Sequence, residues 1–332
     1  MFFVSQLIWY NKIMKKITTI GGGTGQYVLL SGLRDLEDIE ITAVVSMVDS
    51  GGSAGRLRDE LGVLPPADIL KCTVALSPFQ DAARKILQTR LNSSDKLSGH
   101  NAGNMLLSML SQYAGNFPDG VKALGEILNI KGRVLPVTID RATLVAELTS
   151  GMRLYGEAAI DVPCDGQREK IREVFLVPHH SESVSVYEPV ISAISEADYV
   201  IIGPGDVYTS IVPNFLVPGV KEAFKNTKAK LIYVVNAMTK YGETDGFTPL
   251  DFLRIIEDHI GRDLNYILVN NKKPSEEVLQ RYHDQRASFV DLDSNQREKI
   301  KPRILIEEDL IEIGDFIRHS PAKLAEIIKN IF

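Results

Sequence analysis

The chain has 332 residues, 44% apolar and 24% charged, with 37 Lys and Arg against 43 Asp and Glu for a net charge of −6. That balance belongs to a globular chain long enough to bury a large core, and its acidic sign argues against nucleic acid or an anionic membrane as the main partner. Its two cysteines, Cys72 and Cys164, stand far apart without a C-x-x-C spacing, which supports neither a disulfide framework nor a zinc site and fits a reducing, cytoplasmic compartment.

Residues 1–13, MFFVSQLIWYNKI, lack a basic n-region and a small-residue cleavage site and are too short to span a bilayer. Met14-Lys15-Lys16 directly precedes the first strand pattern, so the simplest reading starts translation at Met14. The alternative is a short docking or disordered tail. Apolar β-branched runs at 17–20 and 41–45 each feed a glycine-rich loop that opens a helical pattern, the way α/β folds build phosphate sites. In the first loop Gly21, Gly22, Gly23, Thr24 and Gly25 bring backbone N–H groups close to an oxyanion, and a helix predicted over 26–36 points its positive end there. The second loop combines Asp49, Ser50, Gly51, Gly52, Ser53, Ala54 and Gly55, followed by Arg56, Arg58, Asp59 and Glu60. Asp49, with Ser50, Ser53 and Asp206, offers oxygen ligands for a magnesium ion; equally, Asp49 and Ser53 serve as helix caps. Arg56 and Arg58 either touch phosphate or pair with Asp59 and Glu60 on a solvated face.

Residues 65–130 show helical spacing without a strand pattern, which predicts a lobe beside the sheet. Within it His100 opens a helix near Asn104, and binding suits it better than general-base work. From 133 to 160 the period is two, with runs at 134–138, 144–149 and 153–160 and a turn at Ser150-Gly151, which reads as a small β excursion with an antiparallel hairpin. Buried parallel strands are then expected at 174–177, 199–202, 231–235 and 266–269. The run at 199–202 enters a loop containing Gly205, Asp206, Tyr208 and Thr209; that at 231–235 enters one containing Asn236, Thr239, Glu243, Thr244 and Asp245. Four polar loops thus follow four expected parallel strands and should converge on one ligand. The expected architecture is α/β: a Rossmann-like, mostly parallel sheet with helices on both faces, a helical lobe and a small hairpin, in a single domain over 14–332. The glycine loop fails the dinucleotide fingerprint, because Gln26 and Val28 stand where its third glycine would fall, so NAD is disfavoured. His179 and His180 are neighbours that point opposite ways on an extended chain, and His259 and His283 read as surface residues.

These segments resemble the gluconeogenesis factor family, the YvcK-like proteins related to the 2-phospho-L-lactate transferase CofD. The resemblance is carried by GGGTG at 21–25, DSGGSAGRLRDELGVLPPADI at 49–69, TLVAEL at 143–148, GPGDVYTSI at 203–211, NAMTKYGETDG at 236–246 and RHSPAKLA at 318–325. This chain departs at Ser50 and Ser320, where the family has Asp, at Ala54 and Ala67, and at Asp206, where it has Ser. Ser50 would weaken any divalent site, since a hydroxyl is a neutral ligand. The resemblance implies a regulator that binds UDP-N-acetylglucosamine or UDP-glucose and ties carbon metabolism to cell-wall precursor supply and cell shape, through contact with an enzyme of amino-sugar synthesis. On that reading the first two loops hold the diphosphate, Asn236, Thr239 and the loop from Glu243 to Asp245 read the sugar, and Tyr282 with Arg318 close the pocket. It also implies an alternative, a magnesium-dependent transferase with a nucleotide diphosphate donor, against which Ser50 counts and for which Asp206 counts in part. Enzymatic turnover and a homodimer stay open, with the balance towards a binding protein.

Overall fold

The computed structural model describes residues 14–51, 53–56, 64–91, 99–163 and 168–332. Gly52, Arg58 and the tail at 1–13 lie outside them. Seven parallel strands form the main sheet: β1 (Lys15–Gly21), β2 (Ile39–Val45), β3 (Arg133–Pro136), β7 (Tyr199–Ile202), β8 (Lys230–Val234), β9 (Tyr266–Asn270) and β10 (Ile304–Glu308). Their order is β10-β9-β8-β7-β1-β2-β3. The chain therefore advances one way from β1 to β3 and the opposite way from β7 to β10. Because such crossovers are right-handed, the connecting helices lie on opposite faces, and a crevice opens where the direction reverses, between β1 and β7. Ile17, Ile20, Val44, Val45, Ile201, Ile202, Leu231 and Ile232 are all buried, as strands covered on both faces require.

Local chemistry explains where the helices begin. The Ala102–Ala114 helix is capped by Asn101, whose side chain accepts from Gly103 N and Asn104 N. The Pro249–Ile260 helix starts with a Thr248–Asp251 capping box and proline in its first turn. The helix expected over 26–36 runs instead over Gly23–Leu33. Glycines in a first turn are poor helix formers, yet here they permit close approach: a Cβ on Gly25 would sit 2.2 Å from the Pro204 carbonyl oxygen. Two buried amides fix this turn. Gln26 Nε2 donates to Thr19 Oγ1 and to the Val44 carbonyl, each at 3.0 Å, and Asn214 Nδ2 donates to the Gly21 carbonyl at 3.1 Å.

Helices Ala67–Ala75, Gln80–Leu87, Ala102–Ala114 and Phe117–Ile127 occupy the stretch expected to be helical. The β excursion differs from expectation in three respects. Residues 133–136 form β3, the edge of the parallel sheet; residues 157–161 are the helix Glu157–Asp161; and 174–177 belong to β6 (Ile171–Pro178). This β6 pairs antiparallel with β4 (Ala142–Leu148), which also pairs with β5 (Arg153–Tyr155) in a separate three-stranded sheet. Short apolar runs carry the same pattern in parallel and antiparallel sheets, so pairing is decided by the partner. A further hairpin joins β11 (Ile311–Ile313) to β12 (Ile317–His319), before the terminal helix Pro321–Lys329.

That terminal helix packs on Gly32, where an added Cβ would lie 2.1 Å from the Pro321 carbonyl oxygen. Gly32→Ala is therefore expected to lower stability by about 1–3 kcal/mol through overpacking, read as a fall in the urea midpoint at unchanged slope. An unchanged midpoint would show that the two helices separate without cost.

Candidate functional site

At the reversal between β1 and β7 lies a cleft of about 1030 Å³. All four expected loops reach it: Gly22, Gly23, Thr24 and Gly25 after β1, Asp49 after β2, Gly205, Asp206 and Thr209 after β7, and Asn236 and Thr239 after β8. Tyr282, on the Glu276–His283 helix, and Arg318, on β12, close it from the far side. The first helix has no side chain capping its N-terminus, so its leading N–H donors at Gly22–Gly25 remain for an anion in the cleft. The Tyr282 hydroxyl accepts from Ile317 N, which ties the helix to the hairpin. The Arg318 guanidinium lies 5.7 Å from the centre of the Phe316 ring, which also lines the cleft.

The walls are acidic. Asp49, Asp68, Glu157, Asp161 and Asp206 face the cleft together with the amines of Lys71 and Lys240. Lys71 Nζ pairs with Asp68 Oδ1 at 2.9 Å. Lys240 Nζ is clasped by three carboxylates: Asp161, Asp206 Oδ2 at 2.8 Å and Glu243 Oε1 at 3.0 Å. Burial works against the Lys240 charge, but Glu243, Asp206 and Asp161 outweigh it and hold the ammonium form. Burial, reinforced by Asp49 and Asp161, pushes the Glu157 carboxyl up to about 7, although Ser50 N donates to it. Burial also works to raise Glu243, and the Lys240 ammonium beside it pulls the other way. His319 is buried, which lowers it to about 4; it bonds to the Val235 backbone, while its Nε2 has no hydrogen-bond partner among the described residues. Its imidazole is thus neutral at physiological pH.

Other expected residues turn to structural work. Ser50 Oγ accepts from Ala158 N at 2.9 Å, and Asp49 Oδ1 accepts from Gly51 N at 2.9 Å. Ser53 Oγ accepts from Asn101 N and lies 3.2 Å from His100 Nδ1, with His100 and Asn104 both buried. Arg56 is exposed beside Gly99. Tyr208 is buried, its hydroxyl pushed up to about 12 by burial and by Glu243. Asn236 uses both ends of its amide on the backbone of Gly205, and Thr239 Oγ1 accepts from Ser288 N at 2.8 Å. Thr244 Oγ1 accepts from Lys240 N and Asp245 Oδ2 from Gly242 N, so both shape their own loop.

The oxygens of the magnesium set read from sequence already have partners in the protein. Ser50 and Ser53 are committed to backbone and His100, and Asp206 to Lys240, so the four oxygens do not form one shell. A different trio, Asp161, Asp206 and Glu243, brings one oxygen each within 4.8 Å of the others. Its centre is taken by Lys240 Nζ, and so these residues do not fit a resident divalent ion. Sequence reasoning also missed Asp68, Lys71, Glu157, Asp161, Lys240 and His319 as cleft residues. Lys240, His319 and Glu157, the last in the Gly156-Glu157 pair of the β excursion, stood inside recognised motifs and were legible there; Asp161 carried no local signal.

The comparisons with known proteins bear on the fold and the family. The family model described as 2-phospho-L-lactate transferase CofD matches residues 17–311. A relative in Thermotoga maritima is 43% identical over 322 residues, 95% of this chain and 99% of that one. The gluconeogenesis factor of Bacillus subtilis is 37% identical over 317 residues, covering 95% of this chain and 98% of its own. A crystal structure of a member of the UPF0052 family from Bacillus halodurans superposes with a TM-score of 0.88 at 37% identity, covering 95% of this chain and 99% of that one. With its glycine cradle, its reversal-point cleft and these likenesses, the chain belongs to the CofD family and, among its members, is a relative of the gluconeogenesis factors.

Proposed function

We propose that the cleft binds a nucleoside-diphosphate sugar, UDP-N-acetylglucosamine or UDP-glucose, and that binding rather than turnover is the chain's task. The observation that carries this is the meeting of the Gly22–Gly25 helix N-terminus with Tyr282 and Arg318, which are more than 250 residues away in sequence, across one cleft. A diphosphate takes the helix N–H groups on one side and the Arg318 fork on the other. The Tyr282 ring offers a face on which a base stacks. Asn236 and Thr239 are bonded to backbone, whereas Thr209 Oγ1 and His319 Nε2, on cleft-lining residues, are buried polar atoms without a protein partner among the described residues, a need that a sugar hydroxyl would meet. In the cell this would make the chain a cytoplasmic regulator that reports nucleotide-sugar supply, linking carbon metabolism to cell-wall precursors and cell shape by contact with an enzyme of amino-sugar synthesis.

The second reading is a magnesium-dependent transferase using a nucleotide diphosphate donor, and the carboxylate-rich wall favours it. Such chemistry needs a cation at the developing charge. Isothermal titration of the whole chain with UDP-N-acetylglucosamine, UDP-glucose and GDP, each with and without magnesium, separates the two. Binding of a UDP-sugar that is recovered intact supports the regulator; magnesium-dependent GDP binding or consumption of the nucleotide supports the transferase.

Arg318→Ala is expected to weaken UDP-N-acetylglucosamine affinity by about ten- to a hundred-fold, the worth of a charged hydrogen bond. Undiminished affinity in that titration would remove Arg318 from the site. A pH dependence follows from Glu157, protonated below about 7 and negative above it. Its charge faces the same cleft as the anionic ligand, so affinity should fall several-fold between pH 6 and 8, and Glu157→Gln should flatten the fall. The same slope in both proteins would place the titrating group elsewhere.

A further inference from the structure

We infer that Lys240 is a built-in cation: its ammonium holds the three-carboxylate seat that a divalent ion would otherwise take, so that this corner of the cleft binds no divalent ion while the lysine is in place. The inference concerns the seat itself and stands whether or not the cleft binds a nucleotide sugar.

The seat is assembled from separate parts of the chain. Asp161 ends the Glu157–Asp161 helix, Asp206 lies in the loop after β7, and Glu243 and Lys240 lie in the loop after β8. One oxygen from each carboxylate falls within 4.8 Å of the other two, a spread that a hard cation with oxygen ligands about 2.3–2.6 Å away can bridge. An independent observation shows that the seat is made for a cation. The Glu243 side chain is only 1% exposed, and neither of its oxygens has an aligned hydrogen-bond donor, so the ammonium at 3.0 Å is the charge that compensates it. A buried carboxylate with no cation beside it is costly.

Lys240 satisfies that demand from within the chain. Its Nζ is 2.8 Å from Asp206 Oδ2 and also touches Asp161, so one ammonium serves three anions. A divalent ion in the same seat would stand next to the ammonium, and their repulsion in this half-buried setting is several times larger than in water. The ion must therefore expel the lysine, which is tethered to the loop and competes at a high effective concentration. The arrangement also clamps the β excursion to both cleft loops through one side chain. Divalent-ion dependence, where it exists in this fold, cannot come from these three residues as long as Lys240 remains among them.

The test uses the metal alone. The whole wild-type chain, Lys240→Met, and Lys240→Met with Asp206→Asn are titrated with Mn2+, free ion being followed by electron paramagnetic resonance. Wild type should show no saturable site that Asp206→Asn removes. Lys240→Met should gain one, tighter by about ten-fold or more than any binding the wild type shows there, and the added Asp206→Asn should abolish it. A wild-type site lost in Asp206→Asn would overturn the inference, as would a folded Lys240→Met that binds Mn2+ no more tightly than wild type. If Lys240→Met loses its cooperative melting transition, Lys240→Gln, which keeps a polar side chain of similar reach, replaces it; if neither variant folds, the comparison of wild type with Asp206→Asn decides.

Discussion

Gln26 and Asn214 are buried amides whose hydrogen bonds run between elements rather than within them, and the shape of the cleft depends on these bonds. Gln26 Nε2 reaches both β1 and β2, while Asn214 Nδ2 bridges the carbonyl of Gly21, at the end of β1, to those of Ser210 and Ile211 after β7. An amide buried without partners costs about 1–3 kcal/mol, so each bond set holds its loop in one position. The consequence is a glycine turn packed against Pro204 with no room for a side chain, and helix N–H groups that face the crevice. Between Val207 and Ile211 the backbone widens into a π-helical turn, which sets Thr209 on the cleft wall.

The charge distribution around that turn is the second constraint. A cleft that offers a helix N-terminus to an anion is lined on its other walls by carboxylates, and its two amines are already engaged with them. Glu157 responds by holding its proton well above the usual carboxylate range, which lowers the negative charge on that wall near neutral pH. Arg318, exposed on the β11–β12 hairpin, is the cleft guanidinium that the cluster of carboxylates does not claim among the described residues.

How much of this was legible follows from where each residue's partners lie. The loops after β1, β2, β7 and β8 were read from apolar runs ending in glycine and hydroxyl residues, because a strand buried on both faces leaves an unmistakable composition and its exit loop is local. The run at 174–177 had the same composition and was misassigned, since nothing in four apolar residues states whether the neighbour will be parallel β7 or antiparallel β4. Ser53 and His100 have hydroxyl and imidazole chemistry suited to ligands, and only the packing of the helical lobe turns them towards each other.

The sequence by itself determined the fold class, the family and the glycine cradle, because each is written in contiguous motifs whose geometry is local; Arg318 stands in such a motif, whereas Tyr282 is reached only through the family resemblance. Tertiary structure alone decided the electrostatics. Asp68, the pair Glu157 and Asp161, and Lys240 come from three separated segments, and the charge each carries depends on how much water and which neighbours surround it. Desolvation and Coulomb interactions act through space over a few ångströms, without regard to separation along the chain, and so they exist only once the loops have met.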